Sequence, residues 1–367
     1  MSLEILKENA FESLLLKNTP LIDVRAPVEF LLGSIPNSVN LPIMNDDERE
    51  KVGTEYKLRG SELALKLGHE LVSGEIKETR LDSWKSFIQK NPNCVLYCFR
   101  GGKRSQISQE WLQEQGLVLP RLDGGYKNMR QFLLDRMQAL SEVQSYLPLA
   151  GPTGSGKTTL ITELEGHYPV IDLEALARHR GSAFGAMKTP QPSQIDFENQ
   201  LALALMRVQS TNRPHIKPLI EDESRLIGRC ALPKTFFEKL NSSPIVLVDE
   251  KLETRVQNIF QDYVLNSAIG EGSAGDALVV FNKYKSSVIA ISKKLGGVRS
   301  KEVLDLLQTS EDQYRSGAGM ESNRRWIESL LVYYYDPLYL NSLERRSLKI
   351  VFTGSKDECF KYLKETN

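Results

Sequence analysis

The stretch "CVLYCFRGGKRSQ" (94–106) changes character at Cys98. Residues 94–99 form a short apolar run with Asn-Pro-Asn before it and Gly-Gly after it, the signature of a strand. The following "RSQISQEWLQEQG" (104–116) has a helical pattern and stops at a glycine, a common helix end. A thiol therefore leaves a strand and enters a loop of glycines and cations. Further on, "SYLPLA" (145–150) runs directly into "GPTGSGKTT" (151–159), and "TTLITELEG" is helical after it. Two strand–loop–helix units of this kind set the fold class: α/β, with largely parallel sheets.

The flanking pattern agrees. "PLIDVR" (20–25) and "SVNLPI" (38–43) read as strands, 45–90 as mainly helical, and "RLDGGYKNMRQFLLDRMQAL" (121–140) as a turn and a helix. The second half offers strands at "PVIDL" (169–173), "IKPLIED" (216–222), "PIVLVDE" (244–250) and "LKIVFTG" (348–354). Helical tracts cover 193–210, 251–268 and 273–345. Two domains are expected, 1–140 and 141–367, the second with a helical C-terminal part. No Pro/Gly/Ser linker marks the boundary, and 367 residues suffice for two cores.

Lys and Arg together number 47, as do Asp and Glu, so net charge does not attract nucleic acid. An RNA partner would be held by local patches. The N-terminal residues lack the basic start and apolar run of a signal peptide, and no apolar stretch approaches the ~20 residues of a membrane span. A cytoplasmic protein without a membrane partner is expected. Cys94, Cys98, Cys230 and Cys359 match neither a disulfide framework nor a zinc site.

The loop after Cys98 is built for negative charge. Gly101 and Gly102 let backbone amides curl inward, a helix N-terminus faces them, and Arg100, Lys103 and Arg104 add cations. Such surroundings favour the thiolate, the reactive form. The same cradle suits a persulfide, a perselenide or a phosphate. A merely buried cysteine needs no such loop, and Cys94, in mid-strand, is the better inert thiol.

"GPTGSGKT" (151–158) fits G-x-x-x-x-G-K-[ST] in full and sits between a strand and a helix. Gly151, Thr153, Gly154, Ser155, Gly156 and Thr159 shape a ring of amides for phosphate oxygens. Lys157 reaches the terminal phosphate, and Thr158 is placed to ligate Mg²⁺. This pattern implies diphosphate binding but not hydrolysis. Asp249, Glu221 and Asp222, with Glu223 beside them, end apolar strands and are candidates to assist a metal. Solvated carboxylates at strand ends are the plain alternative.

"LIDVRAPVEFLLGSIPNSVNLP" (21–42) resembles the signature of the rhodanese family, and Cys98 falls where that family carries its persulfide-forming cysteine. The resemblance implies a rhodanese-like N-terminal domain followed by a P-loop NTPase-like domain. Five residues separate Cys98 from Arg104, one more than in the common rhodanese loop. The longer loop is similar to those of rhodanese-like phosphatases, which fit a tetrahedral oxyanion. Asp23 and Arg25 read as an ion pair bracing the site.

Nearly the whole chain resembles the bacterial tRNA 2-selenouridine synthase family. "YCFRGGKRSQ", "DGGYKNMR" (123–130), "LAGPTGSGKT", "VIDLEALARHRGSAFG" (170–185), "FENQLA" (197–202), "IEDESRLIG" (220–228) and "YYDPLY" (334–339) carry the likeness. It implies exchange of sulfur for selenium in the wobble 2-thiouridine of tRNA. Geranyl diphosphate would alkylate the sulfur, and selenophosphate would then supply selenium through a Cys98 selenenylsulfide. It also implies a selenophosphate-supplying enzyme as a partner and no tightly bound organic cofactor. Candidate RNA contacts are Arg178, His179 and Arg180; Lys293, Lys294, Arg299 and Lys301; and Arg324, Arg325, Arg345 and Arg346. Aromatics of "YYYDPLY" (333–339) would stack on a base. The main rival reading is an NTP-dependent kinase or ATPase with a regulatory rhodanese-like domain. A binding protein and a cysteine phosphatase are further rivals.

Overall fold

The computed structural model describes residues 3–182, 184–185, 189–211, 215–267, 274–346 and 349–366. The ends of the helical tracts expected at 251–268 and 273–345 that meet residues 268–273, and Leu348 of the last expected strand, lie outside that set.

The chain begins with β1 (Ile5–Leu6), α1 (Phe11–Leu16), β2 (Leu21–Asp23), α2 (Pro27–Leu32) and β3 (Ser38–Asn40). Helices α3 (Asp46–Arg59), α4 (Ser61–Leu71) and α5 (Gly74–Lys90) follow. Then come β4 (Val95–Tyr97), α6 (Lys103–Glu114), β5 (Arg121–Leu122) and α7 (Gly125–Val143). The sheet has the order β1-β5-β4-β2-β3, with every pair parallel. The inner strands β2 and β4 are buried along their length, as apolar runs covered on both faces must be. Ile22, Val24, Leu96 and Trp84 pack the core, and Trp84 stacks on Trp111 at 6.2 Å between ring centroids. The connection from β2 runs to β3 on one side, and that from β4 to β5 on the other. Anions and ligands collect outside the carboxyl ends of strands at such a reversal. Cys98 leaves β4 there, next to the end of β2.

The second part contains β6 (Leu147–Ala150), α8 (Lys157–Leu164), β7 (Val170–Ile171), α9 (Leu173–Ala177) and α10 (Gln194–Ser210). It continues through β8 (Leu219–Glu221), β9 (Leu226–Ile227), β10 (Cys230–Ala231), α11 (Lys234–Asn241) and β11 (Ile245–Val248). Helices α12 (Leu252–Phe260), α13 (Ala274–Leu295), α14 (Gly297–Arg315), α15 (Asn323–Leu330) and α16 (Asp336–Arg346) precede β12 (Ile350–Gly354) and α17 (Lys356–Glu365). The main sheet, ordered β12-β11-β6-β8-β7, is again parallel, and β9 and β10 form a separate antiparallel pair. The P-loop leaves β6, in the middle of the sheet. Phe281, Tyr284, Trp326 and Leu330 belong to the core of the helical part.

The compact units are residues 1–140 with 192–210, and 141–191 with 211–367. Helix α10, which the sequence reading grouped with the second domain, packs in the first. Arg130 of α7 is paired with Glu198 and donates to Asn199 Oδ1 at 2.6 Å, and Asn199 donates to Ser34 O at 2.6 Å. Asp196 accepts from Ser34 N at 2.7 Å. Parts of "DGGYKNMR" and "FENQLA" thus join the first unit together. Among the described residues, no helix is long and apolar enough to cross a membrane.

Candidate active sites

The cysteine loop is held by the first turn of α7. Tyr126 N donates to Cys98 O at 2.8 Å, and Lys127 N donates to Phe99 O at 3.0 Å. The approach is close enough to require glycine: a Cβ at Gly125 would lie 2.2 Å from Cys98 O and 2.5 Å from Gly101 N. Gly101, at φ +63°, faces Gly124 N at 2.8 Å in the same sense. Arg121 donates to Gly101 O. Cys98 is buried, and its thiol meets Ser105 Oγ at 3.2 Å. Ser105 in turn donates to Gly102 O at 3.1 Å, the residue that precedes α6. Ser105 was not singled out from the sequence. A serine one residue past the basic loop has no local mark, and only the helix brings it to the sulfur.

The loop's cations divide. Arg100 and Lys103 are exposed. Arg104 is clamped by Glu29 of α2, with Nη2 at 3.1 Å from Oε1 and Nη1 on Oε2. Burial raises the Glu29 pKa, but the paired Arg104, helped by Ala26 N–H and Arg49, holds it below the ordinary carboxylate range. Asp23 and Arg25 are fully buried. Arg25 Nε donates to Asp23 Oδ2 at 2.9 Å, Nη2 donates to Gly33 O at 2.8 Å, and the guanidinium lies 3.9 Å from the Tyr126 ring centroid. This pair ties the end of β2 to the α2 loop and braces the wall of the cysteine site.

In the P-loop, Gly154 and Gly156 take φ +82°, and α12 supports the loop from behind. Arg255 Nε donates to Thr153 O at 3.0 Å, and Asn258 Nδ2 donates to Gly154 O at 2.9 Å. Arg255 is itself paired with Asp336 of "YYYDPLY". That segment braces the P-loop through Asp336, while Tyr334 is buried and Tyr333 lies under Arg299, 3.8 Å from its guanidinium. Lys157 Nζ donates to Gly151 O at 2.7 Å, which keeps its charge at the loop. Gly151 and Ser155 are buried, Gly156 caps α8, and Thr158 and Thr159 are exposed at its start.

Carboxylates crowd this loop. Thr158 Oγ1 lies 3.2 Å from Glu174 Oε2 and 3.4 Å from Glu221 Oε1, and Glu174 N donates to Glu221 Oε2 at 2.9 Å. Glu221, at 1% exposure, has its pKa pushed well up by burial and by the charges of Glu174, Asp172 and Glu223. Burial, then Glu174, raises Glu223 to about 8, and burial raises Glu174 also. Gly181 presses on the cluster: a Cβ there would meet Glu223 Oε2 at 2.5 Å. Of the strand-end acids, Glu221 is brought beside Thr158. Asp222 is held by Arg346 through bonds of 2.7 and 2.8 Å, and Asp249 is exposed at the end of β11. Glu174 escaped the sequence reading because a helix start 16 residues past Thr158 gives no local cue.

Two carboxylates and a hydroxyl converging on one point suit a hard divalent cation that keeps waters and takes phosphate oxygens as its other ligands. Among the described residues, no group of three or more His, Cys, Asp or Glu side chains is arranged to hold a metal. A narrow apolar cleft of about 30 Å³ lies beside the loop, lined in part by Thr153, Phe184, Ile259 and Trp326.

The basic candidates for RNA are dispersed in role. Arg178 is exposed in a left-handed conformation at the end of α9, and burial with the Lys283 charge keeps His179 below its ordinary pKa. Arg180 pairs with Asp262 at 3.4 Å and faces the Tyr263 ring. Arg324 pairs with Glu321 and covers Phe260, and Arg299 bonds Glu302 at 2.7 Å. Arg325, Lys293, Lys294, Lys301 and Arg345 are exposed.

Two family models match the chain: a rhodanese-like domain over residues 6–131 and a tRNA 2-selenouridine synthase AAA domain over 144–367. A tRNA 2-selenouridine synthase of Bdellovibrio bacteriovorus is 51% identical over 99% of both chains. One from Nitrosomonas eutropha is 51% identical over 95% of this chain and 94% of its own, and one from Pseudomonas syringae is 43% identical over 97% of each. With both domains matched and relatives aligned from end to end, this chain belongs to the tRNA 2-selenouridine synthase family.

Proposed function

We propose that the protein converts the wobble 2-thiouridine of tRNA to 2-selenouridine, with one reaction step at each glycine-rich loop. The observation that carries this reading is the end-to-end identity with named synthases, in a chain that presents both a cysteine in an anion loop and a full P-loop.

In the first step the thiouridine sulfur attacks C1 of geranyl diphosphate. The new C–S bond forms, the C–O bond breaks, diphosphate leaves and the base gives its N3 proton to solvent. The P-loop amides and Lys157 stabilise the charge growing on the leaving group. Thr158, Glu221 and Glu174 would hold Mg²⁺, which supplies Lewis-acid charge to the diphosphate. Phe184, Ile259 and Trp326 give hydrocarbon next to Thr153 apolar neighbours.

Alkylation turns a poor sulfur leaving group into a better one. The Cys98 loop holds selenophosphate, and its selenium attacks C2 of the base; the C2–Se bond forms, the C2–S bond breaks and geranylthiol departs with the Cys98 proton. Water then cleaves the Se–P bond, which releases phosphate and frees the selenouridine. The enzyme that makes selenophosphate is the functional partner this scheme requires.

Mass spectrometry of nucleosides tests the scheme. Thiolated tRNA is incubated with both donors and wild type, Cys98→Ser or Lys157→Ala. Wild type should give 2-selenouridine, Cys98→Ser should stall at the S-geranyl nucleoside, and Lys157→Ala should leave 2-thiouridine. Both variants stalling at one nucleoside would refute the division of labour. A wild type that does nothing until ATP is added would favour the nucleotide-driven rival.

A further inference from the structure

A cavity with an almost purely apolar lining lies beside the cysteine loop. It measures about 200 Å³ and is enclosed by α3, α4 and α6, with Tyr56, Ala64, Gly68, Lys103, Ile107 and Trp111 among its walls. Three features indicate its occupant. First, the lining is almost wholly hydrocarbon, which suits neither a phosphate nor a polar base edge. An apolar cavity of ~150 Å³ binds benzene, so this one has room for a short branched chain. Second, α4 places its smallest residues, Ala64 and Gly68, four apart and so on one face. A Cβ at Gly68 would touch only Val52, at 3.8 Å, and the space beyond is open. Third, Lys103 and Arg104 belong both to this wall and to the basic loop that begins at Cys98. Tyr56 and Leu65, also in the lining, are exposed, at 61% and 36%, so the cavity is reached from solvent over an apolar rim.

We infer that this cavity seats the hydrocarbon chain carried on the thiouridine sulfur while selenium is delivered at Cys98. The inference rests on the proposed function, in which an S-prenyl nucleoside must come to the cysteine loop. The P-loop would then hold the diphosphate end of the donor, and the α3–α4–α6 cavity would recognise the alkylated product. Selenium transfer would thereby discriminate against 2-thiouridine that has not been alkylated, because only the alkylated base fills the cavity.

The test is the chain-length dependence of selenium transfer. Anticodon stem-loops bearing S-methyl, S-dimethylallyl, S-geranyl and S-farnesyl 2-thiouridine are supplied with selenophosphate and the full-length protein. kcat/KM should rise from methyl to geranyl by at least ~10-fold and rise no further with farnesyl. In Gly68→Leu and in Ala64→Leu, which fill the cavity, the geranyl-to-methyl ratio should fall toward one. A flat series in wild type overturns the inference, as does a ratio that stays at the wild-type value in both filled variants. If wild type selenates none of these substrates but does selenate unalkylated 2-thiouridine, the proposed reaction order fails, and the cavity assignment fails with it.

Discussion

The cysteine loop and the P-loop each leave a parallel strand and open a helix, yet their charges are settled in opposite ways. At the cysteine loop, Arg104 already has a carboxylate partner in Glu29, and the buried Asp23–Arg25 pair is self-contained. What remains for a ligand is backbone amide, Arg100, Lys103 and the thiol. At the P-loop, the Lys157 charge acts on Glu174 and Glu223, with Glu221 beside them, and burial holds all three carboxyl pKa values up. The first site keeps two exposed cations for a ligand and is sterically tight in its backbone. The second carries more buried acid than its one lysine can offset, and a divalent cation would supply the missing positive charge.

The sharpest way to break this contrast is Gly125→Ala. Its Cβ would collide with Cys98 O at 2.2 Å, so the loop must shift. Displacements of that size cost ~10²-fold in rate. Selenium transfer should fall by about that much while geranyl transfer persists, as separate single-turnover assays would show. Equal loss of both steps would mean that the loops do not work independently.

Glu221→Gln is the counterpart at the P-loop. Geranyl transfer should drop ~10–100-fold and require more Mg²⁺, with selenation of preformed S-geranyl tRNA retained. A magnesium titration of both steps decides this. Next in size is Asp336→Asn, which weakens the hold on Arg255 and so on Thr153 O. Thermal unfolding should reveal a loss of about 1–3 kcal/mol, with KM for geranyl diphosphate raised.

The acidic cluster also predicts a pH dependence. Glu223 titrates near 8 in the folded protein, against the usual carboxylate value when unfolded. Between those values the native state binds more protons, so stability should fall as pH rises from about 5 to 8. Glu223→Gln should flatten that slope in melting experiments without added metal. The smallest effect is expected from Glu29→Gln. Its pair with Arg104 is partly exposed, and the loss should stay near ~1 kcal/mol.

Local pattern alone was enough to place both loops. The apolar runs "CVLYCF" and "SYLPLA", each followed by glycines and a helical period, mark strand–loop–helix units, because strand and helix periodicities are written in neighbouring residues. The α/β class and the mainly helical C-terminal part came from the same source. The sequence reading also took Asp23–Arg25 as a brace, since two residues of one strand end lie within reach of each other.

Partners chosen across the chain are a different matter. Ser105 reaches Cys98 only through the turn of α6, and Glu29 reaches Arg104 across 75 residues. Glu174 meets Thr158 because β8 brings Glu221 between them, and α10 packs with the first unit although it follows the P-loop segment. The cavity beside the cysteine loop exists only because three helices leave a gap at Ala64 and Gly68. Sequence determined which backbone segments could bind anions, since that property is local to a glycine loop and a helix start. Tertiary structure decided which side chains balance, brace or crowd them, since ion pairs and cavities depend on distances that no local pattern records.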